Sequence, residues 1–238
     1  MRPIRRTWRA SRLMTIGVVL LAAVVGLPRT GGGQEESADE LLRQAAETMG
    51  DVSSFHFVLT NEIGTTVLAD SIELIGAEGD VQRPDRFRAV VEAQLGVVPI
   101  EVSVVGIGDR AWFTNPLSGG EYQEIQLPEA ARALLDPTPI LLAAVTLVEN
   151  ASITGNESLE GVDTTLIEGT VDLAQLSTPV PNLMPGDALP AQIWLDDQGR
   201  VVRLRLEGAI TQEEDPTVVR VIDLSRFDQP VEIEAPSA

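Results

Sequence analysis

The sequence contains no cysteine and no lysine, and its only histidine is His56. Without cysteine the chain forms no disulfide, thiolate nucleophile, cysteine–zinc site or sulfur-linked lipid anchor. Without lysine it lacks the side chain used for Walker-type phosphate binding and for Schiff-base chemistry. One histidine excludes a metal site built from several histidines, and we therefore expect neither a metal nor a cofactor.

Aromatic residues are also scarce, at 4% of a chain that is 44% hydrophobic, so the interior is expected to be aliphatic. Basic residues are scarce beyond residue 33. The first 33 residues hold six of the 17 arginines and no acid, which leaves 11 arginines against 36 acidic residues, a formal charge of −25. Such a surface repels phosphate backbones and anionic headgroups, which argues against nucleic-acid binding and against electrostatic membrane docking.

The N-terminal segment has the pattern of an export signal. Five arginines within residues 1–12 precede an apolar run over residues 13–27, which is short for a membrane span. We predict an extracytoplasmic protein, either cleaved or tethered by an uncleaved segment that contacts the membrane through residues 13–27. Residues 1–33 thus comprise the signal or tether and a Gly-rich linker, and residues 34–238 are predicted to form a single domain.

A helix and many short strands are predicted after the linker. Ser37 to Glu40 form a capping box for a helix that ends at Gly50 and has one apolar side. Period-two alternation then predicts strands separated by Gly and Pro. The predicted strands are Ser53–Thr60, Val67–Ile75, Arg86–Glu92, Pro99–Val105, Arg110–Thr114, Glu121–Ile125, Ala151–Gly155, Thr164–Asp172, Gln192–Leu195, Arg200–Glu207, Thr217–Leu224 and Val231–Glu234.

Two of these strands are expected to form a hairpin around residues 197–199, whose glycine is typical of a short loop. With those three residues as the loop, Trp194 faces Val202, and both share an apolar face with Leu204. In the first strand, alternation places His56 on the wetter face, where we interpret it as an ordinary surface histidine.

Two short helices are predicted between the strands, at residues 129–135 and 139–148. The second is apolar on nearly every side, so it must be buried or face an apolar ligand. Successive strands without intervening helices imply an antiparallel meander. The predicted fold class is α+β: a strongly curved antiparallel sheet of about ten strands, with helices covering its concave apolar face. Two alternatives remain open, because the helices either complete a dry core or leave room for an alkyl chain.

Several segments resemble the LppX/LprG family of bacterial envelope lipoproteins. They are SSFHF after an LLRQAAETM helix, GDVQRPDRFRA, GVDTTLIEGTV, IWLDDQGRVVRLRLEG and DLSRFDQPVEIEAP. The resemblance implies a half-barrel similar to that of the LolA and LolB lipoprotein carriers, with a hydrophobic cavity for acylated lipids. Members typically carry a lipobox cysteine after the signal, whereas the region VVGLPRTGGGQ here has none.

The resemblance implies an extracytoplasmic carrier that moves an acylated lipid or glycolipid across the cell envelope, with a membrane transporter as a candidate partner. No catalysis is needed for this function, and no enzyme is predicted. The residues expected to line the cavity are Phe57, Leu59, Phe87, Val91, Val102, Val104, Leu135, Ile140, Leu141, Leu142, Val145, Trp194, Val202 and Leu204. Each of them also fits a plain core residue.

Two rival functions remain. Neighbouring carboxylates at 196–197 and 213–215 suit acid–base chemistry in principle, but adjacent acids on turns are more often solvated charges. They also lack the spacing of an EF-hand calcium site. The alternative to a carrier is a ligand-free envelope scaffold or a periplasmic partner of a transporter.

Overall fold

A computed structural model describes residues 37–69, 72–116, 119–126, 138–172 and 188–236 of the chain. The predicted export segment, the predicted helix at 129–135 and most of the Pro-rich connection at 177–190 lie outside the described residues. The described elements are α1 (Ala38–Asp51), β1 (Ser54–Ile63), β2 (Thr66–Ala69), β3 (Ile72–Gln82), β4 (Arg86–Leu95), β5 (Val98–Ile107), β6 (Arg110–Thr114), β7 (Tyr122–Gln126), α2 (Thr138–Thr146), β8 (Val148–Leu159), β9 (Val162–Asp172), β10 (Ala188–Asp196), β11 (Val201–Glu207) and β12 (Val219–Ser225).

The helix α1 begins as its sequence predicts. The side chain of Ser37 accepts a hydrogen bond from the backbone N–H of Glu40 at 3.2 Å, which satisfies one of the free donors of the first turn. Apolar residues at helical spacing are buried along one side, among them Leu42, Ala45 and Met49. The predicted amphipathic helix is therefore confirmed.

The described strands form one antiparallel sheet in the order β7-β6-β5-β4-β3-β1-β12-β11-β10-β9-β8, and β2 pairs with β3 beside this path. The sheet is open, because β7 and β8 lie at opposite edges. Two runs of sequential hairpins, β3 to β7 and β8 to β12, meet where β1 pairs with both β3 and β12. The predicted antiparallel meander is confirmed.

The two faces of this sheet differ in character. The inner face, as we call it, carries Phe57, Phe87 and Val104, which are all buried in the main hydrophobic cluster. The outer face carries the residues that alternate with them, including His56 and Arg88. Strand side chains alternate between the faces, so this division follows from the period-two pattern of the sequence.

Glycines inside strands permit close contacts on the inner face. A Cβ at Gly79 in β3 would lie 2.1 Å from the carbonyl oxygen of Arg88, and one at Gly106 in β5 would lie 2.1 Å from the ring of Phe87. A glycine within a strand is typical of places where another group comes this close to the backbone. The predicted single strand Val67–Ile75 is wrong: this range contains most of β2 and the start of β3, which pair antiparallel, and β3 continues through Gly76 and Gly79.

The β10–β11 hairpin is confirmed, but its predicted register is wrong. Trp194 pairs with Arg203 and Leu195 pairs with Val201, so Val202 is an extra residue in a β-bulge. Leu204 then pairs with Ile193, not with Gln192. A one-residue change in register exchanges the two faces.

The predicted strand at Val231–Glu234 is also wrong, because this segment pairs through side chains instead of a strand ladder. The backbone N–H of Ile233 donates to Gln82 Oε1 at 3.3 Å, and Arg86 Nη1 donates to the Ile233 carbonyl at 2.7 Å. Ile233 is buried with Val105 and Trp112 in a small cluster of its own. The segment therefore packs on the outer face, since Val105 alternates with inner-face Val104.

A charged cluster occupies the outer face of β1, β3 and β4. Nδ1 of His56 lies 2.9 Å from Asp80 Oδ1, and Arg88 Nε donates to Asp80 Oδ2 at 2.8 Å. Burial alone would raise the pKa of Asp80, but the hydrogen bonds from His56 and Arg88 hold it below its ordinary value. His56 points away from the inner face as predicted, although it is part of an ionic cluster and not an isolated surface histidine.

Candidate functional site

The inner face and the two helices contribute to one hydrophobic cluster. Its members come from the inner-face residues of the strands and from the buried sides of α1 and α2. Its buried residues are Ala38, Leu42, Ala45, Met49, Val52, Phe55, Phe57, Val81, Phe87, Ala89, Val104, Leu141, Ala144, Val145, Ile167, Val171, Ala191, Ile193, Leu195, Val201, Leu204, Leu206, Ile222 and Leu224. As the composition predicts, most of these side chains are aliphatic.

Ten of the 14 predicted lining residues belong to this cluster or pack against it. Six are buried members, namely Phe57, Phe87, Val104, Leu141, Val145 and Leu204. Four are only partly buried and pack against it, namely Leu59, Val91, Val102 and Leu142. The structure brings these ten side chains together; that they line a ligand cavity stays a prediction.

Two of the remaining four, Trp194 and Val202, do not belong to this group. The face predicted for Trp194 and Val202 is wrong, because Ile193 and Leu195 lie on the inner face instead. The indole Nε1 of Trp194 donates to Glu157 Oε2 at 2.9 Å, and the Arg203 guanidinium lies 6.0 Å from its ring centroid. Leu135 lies outside the described residues, as does the side chain of Ile140, whose backbone is part of α2.

Sequence reasoning missed some of the deepest residues of the cluster, among them Ile167 and Ile193, which are 0% and 1% exposed. A signal for Ile193 was present. Ala191, Ile193 and Leu195 are apolar at period two, and they alternate with Gln192, Trp194 and Asp196. Strand alternation therefore favoured this inner-face set over the single large aromatic residue between its members.

The space between the helices and the start of β11 is closed. A cavity of about 10 Å³ remains there, which is enough for roughly one water molecule. It is lined by Met49, Phe55, Arg83, Thr138, Leu141, Leu142, Val145 and Val201. At this place the protein's own side chains fill the interior.

A wider groove lies between α1, α2 and the start of β8. Its volume is about 560 Å³, which is within the range of small-molecule sites. Leu42, Ala46, Val145 and Val148 form its apolar part, and Asp39, Arg43, Glu47 and Thr146 form its polar part. Because Leu42 and Val145 are also cluster members, the apolar interior reaches the surface here.

Burial of the inner face is uneven along β4 and β5, since Ala93 is 4% exposed whereas Leu95 is 45% exposed. Ala89 and Val104 pair with each other and are 6% and 5% exposed. The next inner-face pair, Val91 and Val102, is only partly buried. The apolar face thus extends beyond the part of the cluster that is fully covered.

The carboxylates considered for catalysis hold local structure. Asp196 accepts hydrogen bonds from the backbone N–H groups of Gln198 and Arg200, at 3.0 and 2.8 Å, and from Arg200 Nε at 2.7 Å. Glu214 is buried, forms an ion pair with buried Arg220, and accepts from the backbone N–H of Val67 at 3.0 Å. These groups are engaged in turns and in an internal ion pair.

Within the described ranges, no group of three or more His, Cys, Asp or Glu residues is arranged to hold a metal ion. No helix of the described part is both long and apolar enough to cross a membrane.

A family model described as LppX_LprAFG lipoprotein matches residues 37–233. The "Putative diacylated glycolipid transporter LprF" of Mycobacterium bovis is 24% identical over 253 residues, which cover 99% of this chain and 95% of that protein. A protein of the same name from Mycobacterium tuberculosis matches at the same identity and coverage.

Two solved structures share the fold. The crystal structure of LprF from Mycobacterium bovis has a TM-score of 0.65 and 23% identity, and the match covers 84% of this chain and 97% of that one. The crystal structure of lipoprotein LppX from Mycobacterium tuberculosis has a TM-score of 0.58 and 18% identity, with coverages of 83% and 98%. Both matches cover more than four fifths of this chain and nearly all of the other.

Proposed function

This chain belongs to the LppX_LprAFG lipoprotein family, and from this premise we propose that it is an extracytoplasmic lipid carrier. Residues 34–238 form its lipid-binding domain, a half-barrel whose concave side is covered by helices. The domain holds the acyl chains of a lipid or glycolipid against its inner face and moves the lipid across the cell envelope. Export through the N-terminal segment, with or without a remaining tether, places it there.

The observation that carries this proposal is the partly buried stretch of the inner face. Leu59, Ala77, Val91, Val102 and Phe113 pack against the core but are not fully covered. Burying an acyl chain gains about 0.8 kcal/mol per methylene, so a dozen methylenes provide ample affinity without a specific hydrogen bond. The proposed lining comprises the inner-face residues Phe57, Leu59, Phe87, Val91, Val102 and Val104.

The names of relatives support a glycolipid as the cargo, since LprF is named for a diacylated glycolipid. A polar headgroup would stay in water at the rim of the site. A membrane transporter is the partner class that would supply or accept such a lipid. No step requires a catalytic group.

The filled space beneath α2 favours a second candidate, a ligand-free envelope scaffold. A cavity of about 10 Å³ accepts no alkyl chain, so a core closed in this way throughout would leave no site. The two candidates differ in one measurable property, the presence of bound lipid.

The test is native mass spectrometry of the purified full chain, followed by solvent extraction of what co-purifies. We expect a bound mass that extraction removes and that has the composition of an acylated lipid. Val91→Trp should lower the bound fraction about tenfold, equivalent to roughly 1.4 kcal/mol. Its side chain would occupy the space that we assign to the acyl chain.

Val90→Trp is the matched control, since the same bulk is added one residue away on the outer face. It should retain lipid, and both variants should unfold within about 1 kcal/mol of the parent protein. A lipid-free parent protein would favour the scaffold. Equal lipid loss in both variants would contradict the assignment of the acyl chain to the inner face.

A further inference from the structure

The turn between β4 and β5 is an uncharged apolar tip. Residues 93–100, with the sequence AQLGVVPI, include no charged side chain. Leu95 pairs with Val98, so Gly96 and Val97 form a two-residue turn. Gly96 has a φ of 62°, a conformation that glycine adopts at little cost.

The tip is the most exposed apolar group of this hairpin. Val97 is 90% exposed, Val98 is 55% exposed and Leu95 is 45% exposed. Single exposed hydrophobic residues are ordinary, but three neighbours at one turn form a patch. In a chain so rich in acidic residues, such a patch needs an explanation.

The patch is continuous with the inner face. Leu95 and Val98 are a cross-strand pair, followed toward the core by Ala93 with Ile100, Val91 with Val102, and Ala89 with Val104. Because side chains alternate, all four pairs lie on the same side of the sheet. An apolar path therefore runs from the exposed tip to the buried cluster.

The charges around the tip indicate which kind of partner it can contact. Glu92 and Glu101 pair at the base of the tip, and residues 34–238 as a whole carry a formal charge of −25. A second copy of the chain would bring two such surfaces together, and an anionic membrane would be repelled. An uncharged lipid bilayer can bury the apolar patch without either electrostatic repulsion. The tip can enter the bilayer while the two glutamates stay in water.

We propose that the β4–β5 tip inserts into a lipid bilayer of low surface charge and that acyl chains pass along the inner face of this hairpin. The inference rests on the proposed carrier function and adds the place where cargo enters or leaves. Val97 makes the deepest contact, and Leu95 and Val98 flank it. Glu92 and Glu101 limit the depth of insertion.

The absence of cysteine makes a site-specific test simple. A full-length Val97→Cys variant labelled with a polarity-sensitive fluorophore is mixed with phosphatidylcholine vesicles that contain lipids brominated in the acyl chain. We expect a blue shift of the emission and strong quenching. Gln198→Cys, in the exposed turn between β10 and β11, is the matched control and should show neither. The probe reports only its own surroundings, so contact through residues 13–27 does not confuse the result.

A second variant links the contact to transfer. Val97→Asp should reduce the rate of fluorescent lipid uptake from these vesicles about tenfold, because a carboxylate enters the bilayer poorly. The amount of lipid bound after loading in detergent should be unchanged, since the 90% exposed Val97 supports no core contact.

The outcomes separate the two proposals. A probe at residue 97 that stays in water, or unchanged uptake by Val97→Asp, would overturn the tip contact even in a lipid-loaded protein. A protein without bound lipid, whose probe at residue 97 still enters the bilayer, would overturn the carrier function and support the membrane contact alone.

Discussion

The β8–β11 half and the β3–β7 half of the sheet have similar inner faces but bury them to different degrees. Ile167 and Ile193 in the first half are almost inaccessible and share a cluster with both helices. In the second half, Val91, Val102 and Phe113 are only partly buried. The edge strands of both halves, β7 and β8, contain no buried residue.

The two helices explain this difference. The main contacts of α1 are α2 and β8, so the helical side chains pack toward one end of the sheet. Alternation of apolar residues continues into β4 and β5, beyond these contacts. Within the described residues, the sheet displays more apolar surface than α1 and α2 bury. This is a physical reason to bind hydrocarbon, since water contact with that surface is unfavourable.

The largest expected effect on the free energy of unfolding comes from truncating one isoleucine to alanine in each half of the sheet. Ile193→Ala should lower the free energy of unfolding by about 2–5 kcal/mol, because it opens a cavity in a filled core. Ile100→Ala, which removes the same atoms from a partly buried site on β5, should cost less than half as much. Urea denaturation of lipid-free protein measures both values. Equal losses would mean that the two halves are packed alike.

A smaller effect is expected from enlarging a side chain in each half. Val145→Trp should destabilise the protein by about 1–3 kcal/mol, because Val145 is 2% exposed and lies against a nearly filled space. Val91→Trp should leave the stability of lipid-free protein nearly unchanged. Thermal unfolding distinguishes the two variants, and a destabilised Val91→Trp would show that the β3–β7 half has no spare room.

The smallest effect concerns the outer face of the β3–β7 half, where Asp80 binds His56 and Arg88. The pKa of Asp80 is lowered in the folded protein, so its contribution to stability is present above the ordinary aspartate pKa of about 3.9. This contribution is lost as the pH falls through the lowered value. Unfolding free energies measured between about pH 2 and 5 should show a weaker pH dependence for Asp80→Asn. An unchanged pH dependence of the unfolding free energy in Asp80→Asn would mean that the charged cluster does not stabilise the β3–β7 half.

Local sequence patterns predicted the features that depend on interactions between residues close together in the chain. Ser37 and Glu40 specify the start of α1, and the period-two pattern around Phe57 and Phe87 specifies the inner face. The meander followed from strands without intervening helices. These features depend on residues that are neighbours in the chain.

Long-range features could not be predicted in the same way. The bulge at Val202 shifts the register of β11, and no local pattern marks it. The face predicted for Trp194 was wrong for another reason, since the alternation of Ala191, Ile193 and Leu195 already indicated the inner face. Ile233 packs on the outer face through contacts with Gln82 and Arg86, which lie about 150 residues away in sequence. The faces of Phe57, Val91 and Val104 were predicted correctly because alternation alone decides them, and their role in lipid binding stays a prediction.

The most direct test of the central claim is photo-crosslinking of the full chain with a lipid that carries a diazirine in its acyl chain. Mass spectrometry of the arginine-cleaved peptides then locates the hydrocarbon. We expect labelling of inner-face residues of β1, β3, β4 and β5, including Leu59, Val91 and Val102. Labelling confined to the β8–β11 half, or to residues of the outer face such as Val90, would contradict the account.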